Sequence, residues 1–192
     1  TPIPRTLSLT LHGDMDISII DELPGNRIPI TTKVVEPDRL EKVYEFMRKE
    51  MIDGRQCFIV YPLIDESEKM DLKAAETGYK LFSKKIFPEF KVGYIHGKMP
   101  KVERDEQMLK LSGGEINCLV ATTVIEVGID IPNATIMVIE NAERFGLTQL
   151  HQLRGRVGRG EHKSYCVLVQ NKKTPDSEHR LLIMERTLNG FD

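Results

Sequence analysis

Residues 57–61, CFIVY, form an unbroken apolar run between Gly54 and Pro62. The run is too short for a helix and carries no polar alternation, so it reads as a strand buried on both faces. Immediately before it, Pro37 and Asp38 open a helix that continues to about Ile52. Leu40, Val43, Phe46 and Met47 recur there at spacings of three and four, with Asp38 as the expected cap. Further upstream, 27–35 (RIPITTKVV) has the β-branched composition of a strand.

The same pairing repeats downstream. A helix is expected over 70–87, a strand over 92–95, and a helix over 100–111 with Pro100 in its first turn. Strands at 116–121 and 135–139, a helix at 148–154, a strand at 165–169 and a helix at 176–188 complete the series. Apolar strands alternating with amphipathic helices predict an open parallel α/β sheet with helices on both faces. In such sheets ligands gather at the carboxyl ends of strands, which directs attention to the loops after Ile95, Ala121 and Ile139 and to the helix start near Gln149. Residues 1–26, broken by Pro2 and Pro4 and rich in Asp, Gly and Pro from Gly13 onward, read as a connector.

The 192 residues suit one domain, and a content of 40% hydrophobic and 29% charged residues is enough to build a core. A formal net charge of -2 gives no global reason to bind nucleic acid or an acidic membrane, so any such contact must come from local patches. Cys57, Cys118 and Cys166 each sit in an apolar run and form no CxxC pair, as expected of reduced, buried thiols. No apolar stretch approaches the roughly 20 residues of a membrane helix, and a cytoplasmic location is expected. Asn133-Ala134-Thr135 is then an incidental glycosylation sequon.

Three stretches could carry chemistry. In 149–160, QLHQLRGRVGRG, Arg154, Arg156 and Arg159 lie close together, with Gly155 and Gly158 between them to let backbone and guanidinium groups approach a ligand. Two arginines three apart can converge on a transferring phosphoryl group. The same pattern also describes a basic helix end that neutralises carbonyls or pairs with acids such as Glu161. In 119–133 a buried strand ends at Thr122 and Thr123, followed by Gly128 and Asp130. These could hold a nucleic-acid phosphate and a ribose hydroxyl, or form an ordinary capped turn. In 93–99, GYIHGKM, His96 and Lys98 flank Gly97 at a strand end, either as a binding loop or as surface residues. The chain has no GxxxxGK[ST] phosphate loop, no HExxH and no GxSxG.

Taken together, these stretches resemble the second motor domain of superfamily 2 helicases, and within them the RecG-type branched-DNA helicases. TPIPRTL (1–7) is similar to motif III, CFIVYPLIDES (57–67) to motif IV, GYIHGKM to motif IVa, ATTVIEVGIDIPN (121–133) to motif V and QLHQLRGRVGRG to motif VI. The transcription-repair coupling translocases share several of these strings, but IIDELPGNRIPITT (19–32) and LIDESE (63–68) look more like the RecG type.

The resemblance implies a RecA-like fold over 27–172 that closes on ATP bound mainly by a first RecA-like domain of the same polypeptide. Residues 173–192 would then begin a helical segment leading to a further C-terminal region. It also implies that Arg156 and Arg159 act as arginine fingers positioned by Gln152, that Gly128 and Asp130 lie near the nucleotide, and that His96, Gly97, Thr122 and Thr123 touch the DNA backbone. ATP and Mg²⁺ are the implied cofactors, with the metal ligands in the first motor domain, and no metal site is expected here. The implied partner is branched double-stranded DNA, such as stalled forks and Holliday junctions in recombination and repair, in a bacterial nucleoid. Because motif III opens the chain, the resemblance implies a piece of a longer protein that is inactive by itself. The competing expectation is a non-enzymatic module that binds DNA or a protein.

Overall fold

Where the sequence alternates apolar runs with amphipathic stretches, the chain lays down strands and returns through helices. The computed structural model describes residues 28–63, 68–122 and 131–187. In chain order the elements are β1 (Thr31–Val35), α1 (Leu40–Ile52), β2 (Gln56–Tyr61), α2 (Glu68–Leu81), β3 (Val92–Ile95), α3 (Lys101–Ser112), β4 (Cys118–Thr122), β5 (Ala134–Ile139), α4 (Leu147–Arg154), β6 (Tyr165–Val169) and α5 (Pro175–Arg186). All six strands are parallel, in the order β1-β6-β5-β2-β4-β3.

β2 sits between β5 and β4, and every residue of β4 and β5 is buried. Alternation along each strand sends side chains to two cores. Phe58 and Val60 pack on one face with Leu111 of α3, Leu150 and Leu153 of α4, and Leu181 and Met184 of α5. Cys57 and Ile59 pack on the other with Val43, Met47 and Met51 of α1 and with Phe82 and Phe87 beyond α2. The fold class is therefore the open parallel sheet, covered on both sides, that the alternation predicts. Leu181 and Met184 belong to the shared core, so α5 packs onto this face of the sheet.

Several local expectations change. Asp38 does not cap α1: Pro37–Arg39 form a 3-10 turn whose N-cap, Glu36, makes no side-chain cap bond, and Asp38 lies inside that turn. Pro100 precedes α3 as its N-cap instead of occupying the first turn, because its extended ψ of 142° is not helical. The helix expected over 70–87 starts at Glu68 and gives way at Phe82–Ile86 to a π-helical turn. There the Phe87 N–H donates to the Phe82 carbonyl at 2.7 Å, and the two rings stack with centroids 5.8 Å apart. The one extra residue in this wider turn thus brings both phenylalanines into the core. β1 begins only at Thr31, since Pro29 has no N–H to give a sheet. α5 is capped as Thr174 accepts from the Ser177 N–H, with Pro175 in the first turn.

All three cysteines are free and fully buried, and burial raises the pKa of each thiol. No helix among the described residues is long and apolar enough to cross a membrane. Asn133, the acceptor of the incidental sequon, uses its amide to donate to the Gly54 carbonyl at 2.8 Å.

Arg154, read as one of three candidate phosphate ligands, is 5% exposed and serves the fold. Its guanidinium donates to the Met184 carbonyl at 3.0 Å and the Thr187 carbonyl at 2.7 Å, and it lies 2.9 Å from His151 Nδ1. It therefore neutralises carbonyls at the end of α5, a helix other than its own. Removing the guanidinium leaves these acceptors unsatisfied, so Arg154→Met is expected to cost about 2–4 kcal/mol in urea unfolding. Arg156→Met is expected to cost less than about 1 kcal/mol. Equal losses in the two variants would show that Arg154 has no special structural role.

Candidate functional site

A parallel sheet has two unlike edges, and the candidate residues divide between them. At the carboxyl edge stand His96 and Gly97 after β3 and Thr122 at the end of β4. Gly97 is exposed, whereas Thr122 is fully buried, and its hydroxyl has no hydrogen-bond partner among the described residues. His96 is half-buried with its ring 5.2 Å from that of Tyr94. Lys98 is held by Glu68 at 2.6 Å. Thr123, Gly128 and Asp130 lie outside the described residues.

The arginines occupy the opposite edge. α4 runs back along the sheet, so Gly155 to Gly160 emerge near the amino ends of β1, β5 and β6. Two contacts fix this placement. Gly158 has φ +73, and a Cβ there would sit 2.7 Å from Ile30, just ahead of β1. A Cβ at Gly160 would strike the Pro132 carbonyl oxygen, just ahead of β5. These glycines thus serve close packing of chain on chain, whereas Gly155 keeps an ordinary right-handed helical conformation at φ -66. The rule that ligands lie beyond strand carboxyl ends selects the wrong edge for this motif.

Arg156, Arg159 and Gln152 are half-buried. The Arg159 Nε donates to the Gly155 carbonyl at 3.1 Å, which orients its guanidinium from the last turn of α4. The packing of Gly160 on Pro132 places the arginine segment beside 131–133, the end of the motif V stretch. One edge therefore carries a cationic cluster suited to phosphate, and the other carries hydroxyl, imidazole and glycine groups.

The sequence reading missed an ionic lattice at the carboxyl edge. Asp71, 3% exposed, accepts two hydrogen bonds from Arg144 at 2.6 and 3.0 Å. The neighbouring Glu143 carboxylate accepts from the N–H groups of Asn171 and Lys172, both at 3.2 Å, and its carbonyl accepts from Arg180. The lattice ties α2, the segment after β5 and the segment after β6 together. Its partners are 73 and 28 residues apart, so no local pattern announces them. Among the described residues no group of three His, Cys, Asp or Glu could hold a metal ion.

Two titratable groups, Glu140 buried and His151 half-buried, flank this architecture. Glu140, at the end of β5, is pushed up to about 7, first by burial and then by Glu143. His151 is pushed down to about 4, first by burial and then by the Arg154 charge. Between pH 4.5 and 7 the folded chain keeps a proton on Glu140 that the unfolded chain has lost, so this group lowers stability as pH rises. Between 4 and 6.5 the unfolded chain protonates His151 while the folded chain resists, so this group raises stability as pH rises. The two slopes oppose each other where the windows overlap. Glu140→Gln is expected to leave a chain that gains stability from pH 4.5 to 6.5, and His151→Asn one that loses it, read from urea midpoints. If both variants track the parent, neither group titrates as described.

The model of the helicase conserved C-terminal domain matches residues 38–161. Over 191 residues, all of this chain and 23% of the relative, the chain is 54% identical to the ATP-dependent DNA helicase RecG of Synechocystis sp.. The chain thus spans about a quarter of the length of such curated relatives. A solved structure of RecG bound to a three-way DNA junction superposes with a TM-score of 0.83 and 48% identity, covering all of this chain and 25% of that one. S. cerevisiae Dbp5 bound to RNA and ADP BeF3 shares the fold, with a TM-score of 0.61 at 20% identity over 89% of this chain and 43% of that one. The chain belongs to the helicase conserved C-terminal domain family, in the form carried by RecG-type DNA helicases.

Proposed function

We propose that this domain is the second half of an ATP-driven motor that translocates on double-stranded DNA and remodels branched DNA in recombination and repair. The observation that carries this reading is the arginine cluster of α4 and its following loop. It is packed against the end of motif V at the amino edge, away from the hydroxyl and imidazole groups at the carboxyl edge. One edge suits a nucleotide's phosphates and the other suits the DNA backbone, so a single rigid sheet can report the state of one to the other.

The first motor domain of the same polypeptide supplies the phosphate loop and the ligands for Mg²⁺, which neutralises phosphate charge when bound. Arg156 and Arg159 close over the γ-phosphate, with Gln152 steadying the segment and Gly128 and Asp130 near the nucleotide. Water attacks the γ-phosphorus, the bond to the β,γ-bridging oxygen breaks, and the two guanidinium groups offset the negative charge that builds on the transferring group. Closure on ATP and release of ADP and phosphate move the two halves relative to each other. His96, Gly97, Thr122 and Thr123 hold the DNA backbone during this cycle, through phosphate contacts that position without reading sequence. The protein works where chromosomal DNA is handled, in the bacterial nucleoid.

The test is fork-stimulated ATP hydrolysis by the full-length protein. Arg156→Ala and Arg159→Ala are each expected to lower turnover by about a hundredfold or more while nucleotide and DNA binding persist. The 192-residue chain alone is expected to show no steady turnover. Unchanged hydrolysis in both variants would reduce the cluster to a basic surface and favour the binding-module reading.

A further inference from the structure

A cleft of about 490 Å³ runs along the flank of the sheet between α2 and β3, meeting the carboxyl edge described above at His96. Lys69, Lys73, Glu76 and Lys80 recur along α2 at spacings of four and three and so form one wall. Tyr94 of β3 and His96, two residues on and just past the strand's end, form the other. Tyr79 of α2 stacks on Tyr94 with ring centroids 5.3 Å apart and planes 14° from parallel, and the His96 ring continues the row at 5.2 Å. β3 is the last strand of the sheet, and no strand among the described residues pairs with its outer side.

The electrostatics of the cleft select an anion. Three lysines face one carboxylate, and that carboxylate, Glu76, is occupied by Lys80 at 2.5 Å. Lys69 and Lys73 form no ion pair among the described residues. His96 Nδ1 is buried and has no hydrogen-bond partner among the described residues. A nitrogen so placed is ordinarily satisfied by something, and the residue that carries it lines a basic, aromatic-lined channel. The lysines would track phosphates, and the parts of the half-buried aromatic row that line the cleft offer apolar contact to unpaired bases, which together suit a single strand. The cleft has the volume of a small-molecule pocket, enough for a nucleotide or two.

We propose that this flank cleft binds single-stranded nucleic acid, with Lys69 and Lys73 on its phosphates and the His96–Tyr94–Tyr79 row beside its bases. α2 runs antiparallel to the strands, so Lys69 lies toward the carboxyl edge and Lys80 toward the amino edge. A strand arriving over the carboxyl edge at His96 is led away down the side of the domain. This path extends the motor reading, on which it rests only for the arrival of DNA at His96, and it gives an unpaired strand a route distinct from the duplex.

The experiment uses the chain without nucleotide, so the fate of the arginine-finger reading does not affect it. A fluorescein-labelled thymidine oligonucleotide of about a dozen residues is titrated by anisotropy over a salt series. Lys69→Ala/Lys73→Ala is expected to weaken binding about tenfold and to reduce the salt slope by about 1.4, roughly 0.7 for each lost phosphate contact. Lys84→Ala/Lys85→Ala, which removes two exposed lysines outside the cleft, is expected to change affinity less than about twofold. In the unmodified chain the His96 imidazole resonance is expected to move on addition of the oligonucleotide and to stay in place on addition of a blunt duplex or a polyglutamate peptide. Absence of oligonucleotide binding, equal loss in the two lysine pairs, or a His96 response to duplex or polyglutamate in place of the single strand would each overturn the proposal.

Discussion

Parallel pairing obliges every connecting segment to run the length of the sheet before the next strand can begin, and the placement of the described candidate groups follows from that obligation. β2, β4 and β5 form the buried centre, and burial on both faces requires a helix layer on each side. Because helices return the chain, each loop is assigned to one edge or the other by its place in the order strand, helix, strand. The arginine loop follows a helix and His96 follows a strand, so they end on opposite edges. Separation of the cationic segment from the imidazole and hydroxyl groups is thus a property of the topology.

The core was legible in the sequence because its signal is local. CFIVY, the run ending at Ala121 and the run ending at Ile139 are apolar at every position, and no other element accommodates so short a run between turn residues. Element ends were less legible, since they depend on which carbonyls and N–H groups find partners. Asp38 had the right residue type for a cap, yet the preceding Pro37 opened a tighter turn that absorbed it. The π-helical turn at Phe82 is also invisible to periodicity, because it is chosen by the stacking of Phe82 on Phe87 in the folded core.

The site was legible in part. The arginine-rich string stood out by composition, but composition could not divide its members. Arg154 is spent on the ends of α4 and α5, whereas Arg156 and Arg159 follow the helix. Nor could composition tell that Gly158 and Gly160 answer to Ile30 and Pro132. Those contacts join segments distant in the chain, as does the grip of Arg144 on Asp71. The family resemblance implies roles for Arg156 and Arg159 that periodicity and spacing alone left open.

The three buried cysteines carry a consequence of their own. Cys57 and Cys118 are register partners on adjacent strands, and Cys166 sits in β6 two strands from β2. A thiol reacts as its thiolate, and both solvent exclusion and a raised pKa suppress that form here. Alkylation can then proceed only when the sheet itself parts. The rate at which these sulfurs consume a thiol reagent is therefore an internal clock for sheet opening, and surface loops can fluctuate without advancing it.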